Sequence, residues 1–219
     1  MSGGVVPAGS SGGSPAPGLV LASGSPRRAA VLGALGLAFR IDPPDVPERK
    51  ADDESPAGFA ERLAREKARA VAERHPDALV LAGDTIVVLD DEVLGKPADV
   101  DGAAAMLVRL AGRDHVVVTG LALAAPGGGV ESGVDTTRVR MRWFDDAAAR
   151  AYVASGEPMD KAGAYGIQGR GGALVRGVEG DYFTVMGFPV SLFIDLLGRS
   201  GYRYAFGTLE GTSGPGAGL

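Results

Sequence analysis

Asp84 stands in Gly83-Asp84-Thr85, directly after the apolar run Leu79–Ala82. Carboxylates at the C-terminal ends of sheet strands border the ligand crevice in open α/β sheets. There Asp84 could ligate Mg²⁺ or take a proton as a general base; the plain alternative is a turn aspartate. A second cluster, Ser23-Gly24-Ser25-Pro26-Arg27-Arg28, falls where a strand meets a helix N-terminus. Free backbone N–H groups and the helix dipole favour an anion there, and two guanidiniums add donors suited to phosphate oxygens. Arginine in a first helical turn opposes the dipole, so an anion nearby would offset that cost.

Three further charges fit the same chemistry. Lys67 falls inside the apolar arc of its helix: with Phe59 at 0°, Leu63 lies at about 40°, Lys67 at about 80° and Val71 at about 120°. Such a lysine either snorkels or reaches a buried anion. Lys96, in Leu94-Gly95-Lys96-Pro97, lacks the Gly-x-x-x-x-Gly-Lys-Ser/Thr spacing of a phosphate-binding loop, which disfavours that class of kinase or ATPase. Glu48, with Asp45 nearby, could join Asp84 at a divalent ion, since Mg²⁺ binds through few carboxylates together with phosphates and water. Finally, Met159–Gly169 is glycine-dense around Gln168. Glycine allows close backbone approach, and a carboxamide that donates and accepts suits a nucleobase edge.

The elements that must hold these residues alternate. Leu19–Ala22 reads as a strand, Pro26 to about Leu35 as a helix capped by Ser25, and Phe39–Ile41 as a second strand. Ser55-Pro56 opens a helix to about Arg74. Leu79–Ala82 and Ile86–Leu89 read as strands on either side of the Asp84 segment, and Asp90-Asp91-Glu92 as a hairpin turn. Asp99 or Asp101 caps a helix ending at Gly112. Val116–Ala124 and Val134–Trp143 read as long strands, and Asp145 caps a helix to about Ala154. Ala162–Gly187 reads as short strands and loops, and Pro189 opens a helix to about Arg199. Early alternation with a hairpin in the middle predicts an α/β fold with a mixed sheet.

The whole chain of 219 residues has Lys+Arg 22 against Asp+Glu 27, a net charge of −5. A mildly acidic chain lacks the basic footprint of a nucleic-acid binder. Cysteine is absent, so disulfides and cysteine zinc sites are excluded, and the two histidines, His75 and His115, cannot form a histidine-rich metal site. There is no apolar run long enough for a membrane span and no signal peptide, which points to the cytoplasm. Residues 1–18 read as a disordered extension, 19–206 as one catalytic domain and 207–219 as a disordered tail.

Taken in order, Ser-Gly-Ser-Pro-Arg-Arg, Leu63–Ala68, Gly83-Asp84-Thr85, Gly95-Lys96-Pro97, Glu157–Gly169 and Gly180–Pro189 resemble the Maf family from about Leu19 to Arg199. The resemblance implies an α/β fold with an elongated mixed central sheet, flanking helices and two lobes around a cleft, similar to inosine triphosphate pyrophosphatases. It implies a nucleoside triphosphate pyrophosphatase that needs a divalent metal cation, Mg²⁺ or Mn²⁺. Asp84 matches the proton acceptor of the family; Arg27, Thr85 and Gln168 match positions linked to substrate choice. Ser23, Arg28, Glu48, Lys67 and Lys96 match other pocket positions, with Lys67 then reaching the triphosphate and Glu48 and Asp84 the metal. Gln168 in Ala-Tyr-Gly-Ile-Gln-Gly is similar to the branch acting on dTTP and UTP, whereas the 7-methyl-GTP branch typically carries Glu there. The alternatives are a 7-methyl-GTP or broad modified-nucleotide pyrophosphatase, and a nucleotide-binding regulator of septum formation without turnover. Several family members are homodimers, which makes a homodimer one option for this chain.

Overall fold

The computed structural model describes residues 16–212; positions 1–15 of the expected extension over 1–18 and positions 213–219 of the expected tail over 207–219 lie outside them. In chain order the strands are β1 (Leu19–Ala22), β2 (Phe39–Ile41), β3 (Leu79–Leu89), β4 (Glu92–Leu94), β5 (Asp114–Ala124), β6 (Val130–Met141), β7 (Val175–Glu179), β8 (Tyr202–Tyr204) and β9 (Leu209–Gly211). The helices are α1 (Pro26–Ala34), α2 (Pro56–Ala72), α3 (Val100–Leu110), α4 (Asp146–Val153), α5 (Tyr182–Met186) and α6 (Val190–Arg199). Seven strands form one mixed sheet in the order β2-β1-β3-β5-β6-β7, with β4 also on β3; β8 and β9 form a separate hairpin. The expected mixed α/β architecture is present. Among the described residues no helix is long and apolar enough to cross a membrane.

The sequence pattern explains how the first lobe packs. Leu-Val-Leu-Ala occurs in both β1 and β3, and Leu-Ala-Leu-Ala in β5. Alternation sends the leucines to one face and the small residues to the other. Leu19, Leu21, Leu79, Leu81, Leu121 and Leu123 pack with Val31 and Leu32 of α1 and with Phe193, Leu196 and Leu197 of α6. Val20, Ala22, Val80, Ala82, Ala122 and Ala124 meet Ala64, Ala68 and Val71 of α2. Small residues on both sides let α2 lie very close to the sheet. The approach is closest at Gly120, where a Cβ would sit 2.5 Å from the Ala60 carbonyl oxygen and 2.6 Å from its carbon.

Three expectations are corrected. Asp84 is not in a turn: β3 runs unbroken through Gly83-Asp84-Thr85. Gly83 is needed for space, since a Cβ there would meet Leu121 at 2.8 Å. The glycine-dense block is built from 3-10 turns at Ala162–Ala164 and Gly169–Leu174, with β7 and α5 after them, rather than mostly strands and loops. Part of the expected disordered tail is structured, because Leu209–Gly211 pairs with Tyr202–Tyr204 and Tyr204 Oη donates to the Leu35 carbonyl at 2.6 Å.

The second lobe has its own core, in which α3 and α4 cover the distal parts of β3, β5 and β6. His115 lies in it at 3% exposure, with Nε2 2.7 Å from Tyr165 Oη and Nδ1 without a partner. Burial pulls the His115 imidazole down to about 4.

Two outcomes follow from this packing. Gly120→Ala should destabilise the fold by about 1–3 kcal/mol, read as a lower urea midpoint at unchanged slope, because backbone and not a flexible side chain must yield. Lowering the pH should destabilise the fold between about 6.5 and 4, because there the unfolded histidine binds a proton that the buried one refuses; the full difference is roughly 3 kcal/mol. Unfolding of His115→Gln across the same interval should show a shallower dependence on pH. Equal slopes would remove His115 as the cause.

Candidate active site

The site begins with a gap in the sheet. β1 pairs with β3 only as far as Ala22 opposite Ala82, and β4 pairs with β3 only from Leu94 opposite Val87. Both lie on the edge of β3 that β5 does not cover. Between them Gly83–Ile86 has no strand neighbour on that side. β1 is parallel to β3 and β4 antiparallel, so the C-terminal ends of both strands run toward the gap. They deliver Ser23–Arg28 from one lobe and Gly95-Lys96 from the other. The resulting cleft has a volume of about 490 Å³.

Asp84 and Thr85 are consecutive in a strand and so point to opposite faces of the sheet; the gap allows both to border one cleft. On the α2 face, Lys67 is 7% exposed. Its Nζ donates to Asp84 Oδ1 at 2.7 Å and to Glu48 Oε1. Lys67 therefore neither snorkels nor points alone at a ligand: it joins two carboxylates from distant parts of the chain. Burial pushes the Glu48 carboxyl up, but the hydrogen bond and charge of Lys67, with Lys96 and Arg28 behind it, hold it below the ordinary carboxylate range.

On the opposite face Arg28 ties three elements together. Nε donates to the Gly187 carbonyl at 2.8 Å, Nη1 to Ser23 Oγ at 2.9 Å and Nη2 to Thr85 Oγ1 at 3.0 Å. All three acceptors are neutral. Burial draws the guanidinium below its ordinary value, with the charge of Asp84 opposing that shift; arginine nonetheless stays protonated. The Thr85 hydroxyl lies 3.0 Å from Thr119 Oγ1, which itself donates to the Thr184 carbonyl at 2.8 Å. Thr119 has one hydroxyl proton, so Thr85 must be the donor between the two hydroxyls. The row runs one way, from Arg28 through Thr85 and Thr119 to Thr184, and Thr85 can meet a ligand only as an acceptor.

Arg27 reaches across the mouth of the cleft. Its Nη1 lies 3.3 Å from Asp160 Oδ2, and the other oxygen of Asp160 accepts from Lys161 Nζ. The lining carries five cations, Arg27, Arg28, Lys67, Lys96 and Lys161, against three carboxylates, Glu48, Asp84 and Asp160. An excess of two positive charges stands in a chain whose net charge is −5. The expected set of Ser23, Arg27, Arg28, Glu48, Lys67, Asp84, Thr85 and Lys96 thus lies around one cleft. Gln168 is at the rim: it is exposed and follows the lining residue Ile167, and its side chain makes no capping bond to the 3-10 turn it precedes.

A divalent ion fits this donor set in one way. Among the described residues no group of three or more His, Cys, Asp or Glu could enclose a metal. Glu48 and Asp84 are nevertheless brought together, and Asp84 Oδ2 makes no hydrogen bond among the described residues. Two carboxylates, with phosphate oxygens and water completing the shell, suit Mg²⁺.

Sequence reasoning left Asp160, Lys161 and Tyr165 without a role, although all three line the cleft. The available signal was that three polar side chains fall within a glycine-dense block.

The family model described as Maf-like protein matches residues 18–200. The chain is 50% identical over 186 residues to a protein of Symbiobacterium thermophilum named dTTP/UTP pyrophosphatase, covering 84% of this chain and 94% of that one. It is 50% identical over 183 residues to one of the same name from Myxococcus xanthus, covering 84% and 92%. A third of that name, from Koribacter versatilis, is 47% identical over 184 residues, covering 84% and 95%. Among solved structures, the Staphylococcus aureus Ham1 protein aligns at a TM-score of 0.42 with 16% identity, over 56% of this chain and 71% of that one. With the match spanning nearly all of the described residues, the chain belongs to the Maf family.

Proposed function

We propose that this protein hydrolyses dTTP and UTP between the α- and β-phosphates, giving the nucleoside monophosphate and pyrophosphate. The observation that carries the reading is Asp84, set in the sheet gap, paired with Lys67 and faced by the cations of both lobes. The relatives named above act, by their names, on dTTP and UTP.

Arg27, Arg28 and Lys96 draw the triphosphate into the cleft and spread its charge over both lobes. Lys67 offsets one of the two negative charges of Glu48 and Asp84, so that a polyanion meets less repulsion at a site that holds carboxylates. Asp84 takes a proton from the attacking water, and Thr85 and Gln168 face the parts of the substrate that decide preference. Glu48 and Asp84 would hold Mg²⁺ or Mn²⁺, which when bound supplies charge neutralisation at the phosphate oxygens. Phosphoryl transfer is mostly positioning plus electrostatic stabilisation, so the cations matter as much as the base. The reading extends to a cytoplasmic enzyme and to a homodimer, the latter decided by sedimentation.

Asp84→Asn should keep the fold and lower turnover by about two to four orders of magnitude, the size of a general-base contribution. Pyrophosphate release under saturating dTTP measures it, and near-normal turnover would sink the assignment. With Mg²⁺ or Mn²⁺ present, a panel of dTTP, UTP, CTP, GTP and 7-methyl-GTP should show dTTP and UTP cleaved fastest. Preference for 7-methyl-GTP would move the protein to the other branch, and tight binding without cleavage would make it a regulator.

A further inference from the structure

The exposed carboxamide of Gln168 raises a problem of polarity. Turned by 180° about its last bond, a carboxamide presents a donor where its acceptor was. A uracil or thymine edge offers a ring N–H donor beside a carbonyl acceptor, and cytosine offers the reverse. A freely turning glutamine satisfies either. Main-chain N–H and C=O groups cannot exchange roles, so a backbone held rigidly at the cleft can discriminate where the side chain cannot.

The segment Gly166–Gln168 is held from behind in this way. Glu157 Oε1 accepts from the Gly171 N–H at 3.0 Å and from Tyr152 Oη at 2.9 Å, and its Oε2 accepts from the Arg170 N–H at 3.0 Å. Tyr152 Oη in turn accepts from the Gly166 N–H at 3.2 Å. One carboxylate and one phenol therefore fix the backbone on both sides of Ile167 and Gln168. Although burial pushes the Glu157 carboxyl up, the N–H groups of Gly171 and Arg170 hold it below the ordinary range.

The same grip explains the glycines of this block. A Cβ at Gly171 would sit 2.3 Å from the Gly166 carbonyl oxygen and 2.5 Å from Tyr152 Oη. One at Gly169 would approach Glu157 Oε2 to 3.0 Å, and one at Gly166 would meet Lys161 Cε at 2.9 Å. Gly169 and Gly171 thus make room for Glu157 and Tyr152, which hold the loop, and Gly166 makes room for Lys161.

We infer that Glu157 and Tyr152 are positioning residues for base selection, fixing the chain on both sides of Ile167 and Gln168 so that the main chain of these two residues distinguishes uracil and thymine from cytosine. The inference rests on the reading of the cleft as a nucleoside triphosphate site, but its test does not need turnover. Equilibrium binding of non-hydrolysable α,β-imido forms of dTTP and dCTP reads base discrimination, and binding of inorganic tripolyphosphate reads the phosphate cradle alone. Glu157→Ala should reduce the preference for the thymine form about tenfold, equivalent to roughly 1.4 kcal/mol, with tripolyphosphate affinity within about twofold of wild type. Tyr152→Phe should do the same to a smaller extent, and it carries the test if Glu157→Ala does not fold. Glu157→Gln keeps an acceptor for one side of the loop but turns an amide N–H₂ toward a backbone N–H, so it should fall between wild type and Ala. Unchanged discrimination in the variants, a parallel loss of tripolyphosphate affinity, or no discrimination in the wild type would each overturn the inference. A wild type that discriminates but does not cleave would leave it standing and overturn the proposed reaction instead.

Discussion

The ammonium of Lys67 between Glu48 and Asp84 is the interaction on which the site depends. A lysine at 7% exposure is tolerable only when its charge is matched and its donors are used, and removing one partner of such a group costs far more than the pair contributes net. Meeting that requirement constrains distant parts of the chain. α2 must lie close enough to the sheet for Lys67 to reach β3, which the alanine face and Gly120 permit. The loop carrying Glu48 must return to α2. Arg62 helps to hold it there, with Nη2 on the Arg49 carbonyl at 2.9 Å and Nε on Glu54 at 2.7 Å. The packing of the first lobe and the charge balance of the cleft are thus one problem with one solution.

Arg28 solves the complementary problem on the other face. Its partners are two hydroxyls and a carbonyl, so its geometry is fixed while its charge is not cancelled by direct contact. Lys67 is the reverse case, geometrically fixed and fully matched. One cation therefore makes carboxylates compatible with a polyanion, while the other presents uncompensated charge from a water-poor setting where it acts more strongly. The sheet gap lets both reach the same ligand from opposite faces.

Much of this was legible in the sequence because it rests on local rules. Ser25, Ser55 and Asp145 each cap the helix they were expected to cap, and of the two candidates Asp99 and Asp101 it is Asp99 that caps α3. Lys67 on the apolar arc signalled a buried charge, although periodicity could not say that its partners would be Glu48 and Asp84. Asp84 was found as a chemical residue but set just past a strand that in fact continues through it, because the apolar run stops at Ala82 while the need for Gly83 comes from Leu121 on the neighbouring strand. The glycine block was read as loops for a similar reason: the groups that organise it, Glu157 and Tyr152, act through backbone bonds to residues up to 14 positions away. The β8–β9 hairpin was missed because a Gly-rich composition conceals a pairing whose anchor is Tyr204 on the Leu35 carbonyl.

The direction of the hydroxyl row sorts the remaining roles. Thr119 donates its single proton to the Thr184 carbonyl, which obliges Thr85 to donate to Thr119 and leaves Thr85 only lone pairs to offer. A group that can only accept is useless to a phosphate oxygen, which also accepts. On the proposed reading Thr85 therefore stands outside the phosphate cradle although it touches Arg28, which that reading assigns to it. A ligand that satisfies Thr85 must bring an N–H or O–H, and the triphosphate has neither when ionised. Under the proposed reaction the cleft is divided by hydrogen-bond polarity as well as by charge: donors and cations serve the phosphates, and Thr85, a fixed acceptor, serves the part of the ligand that carries protons.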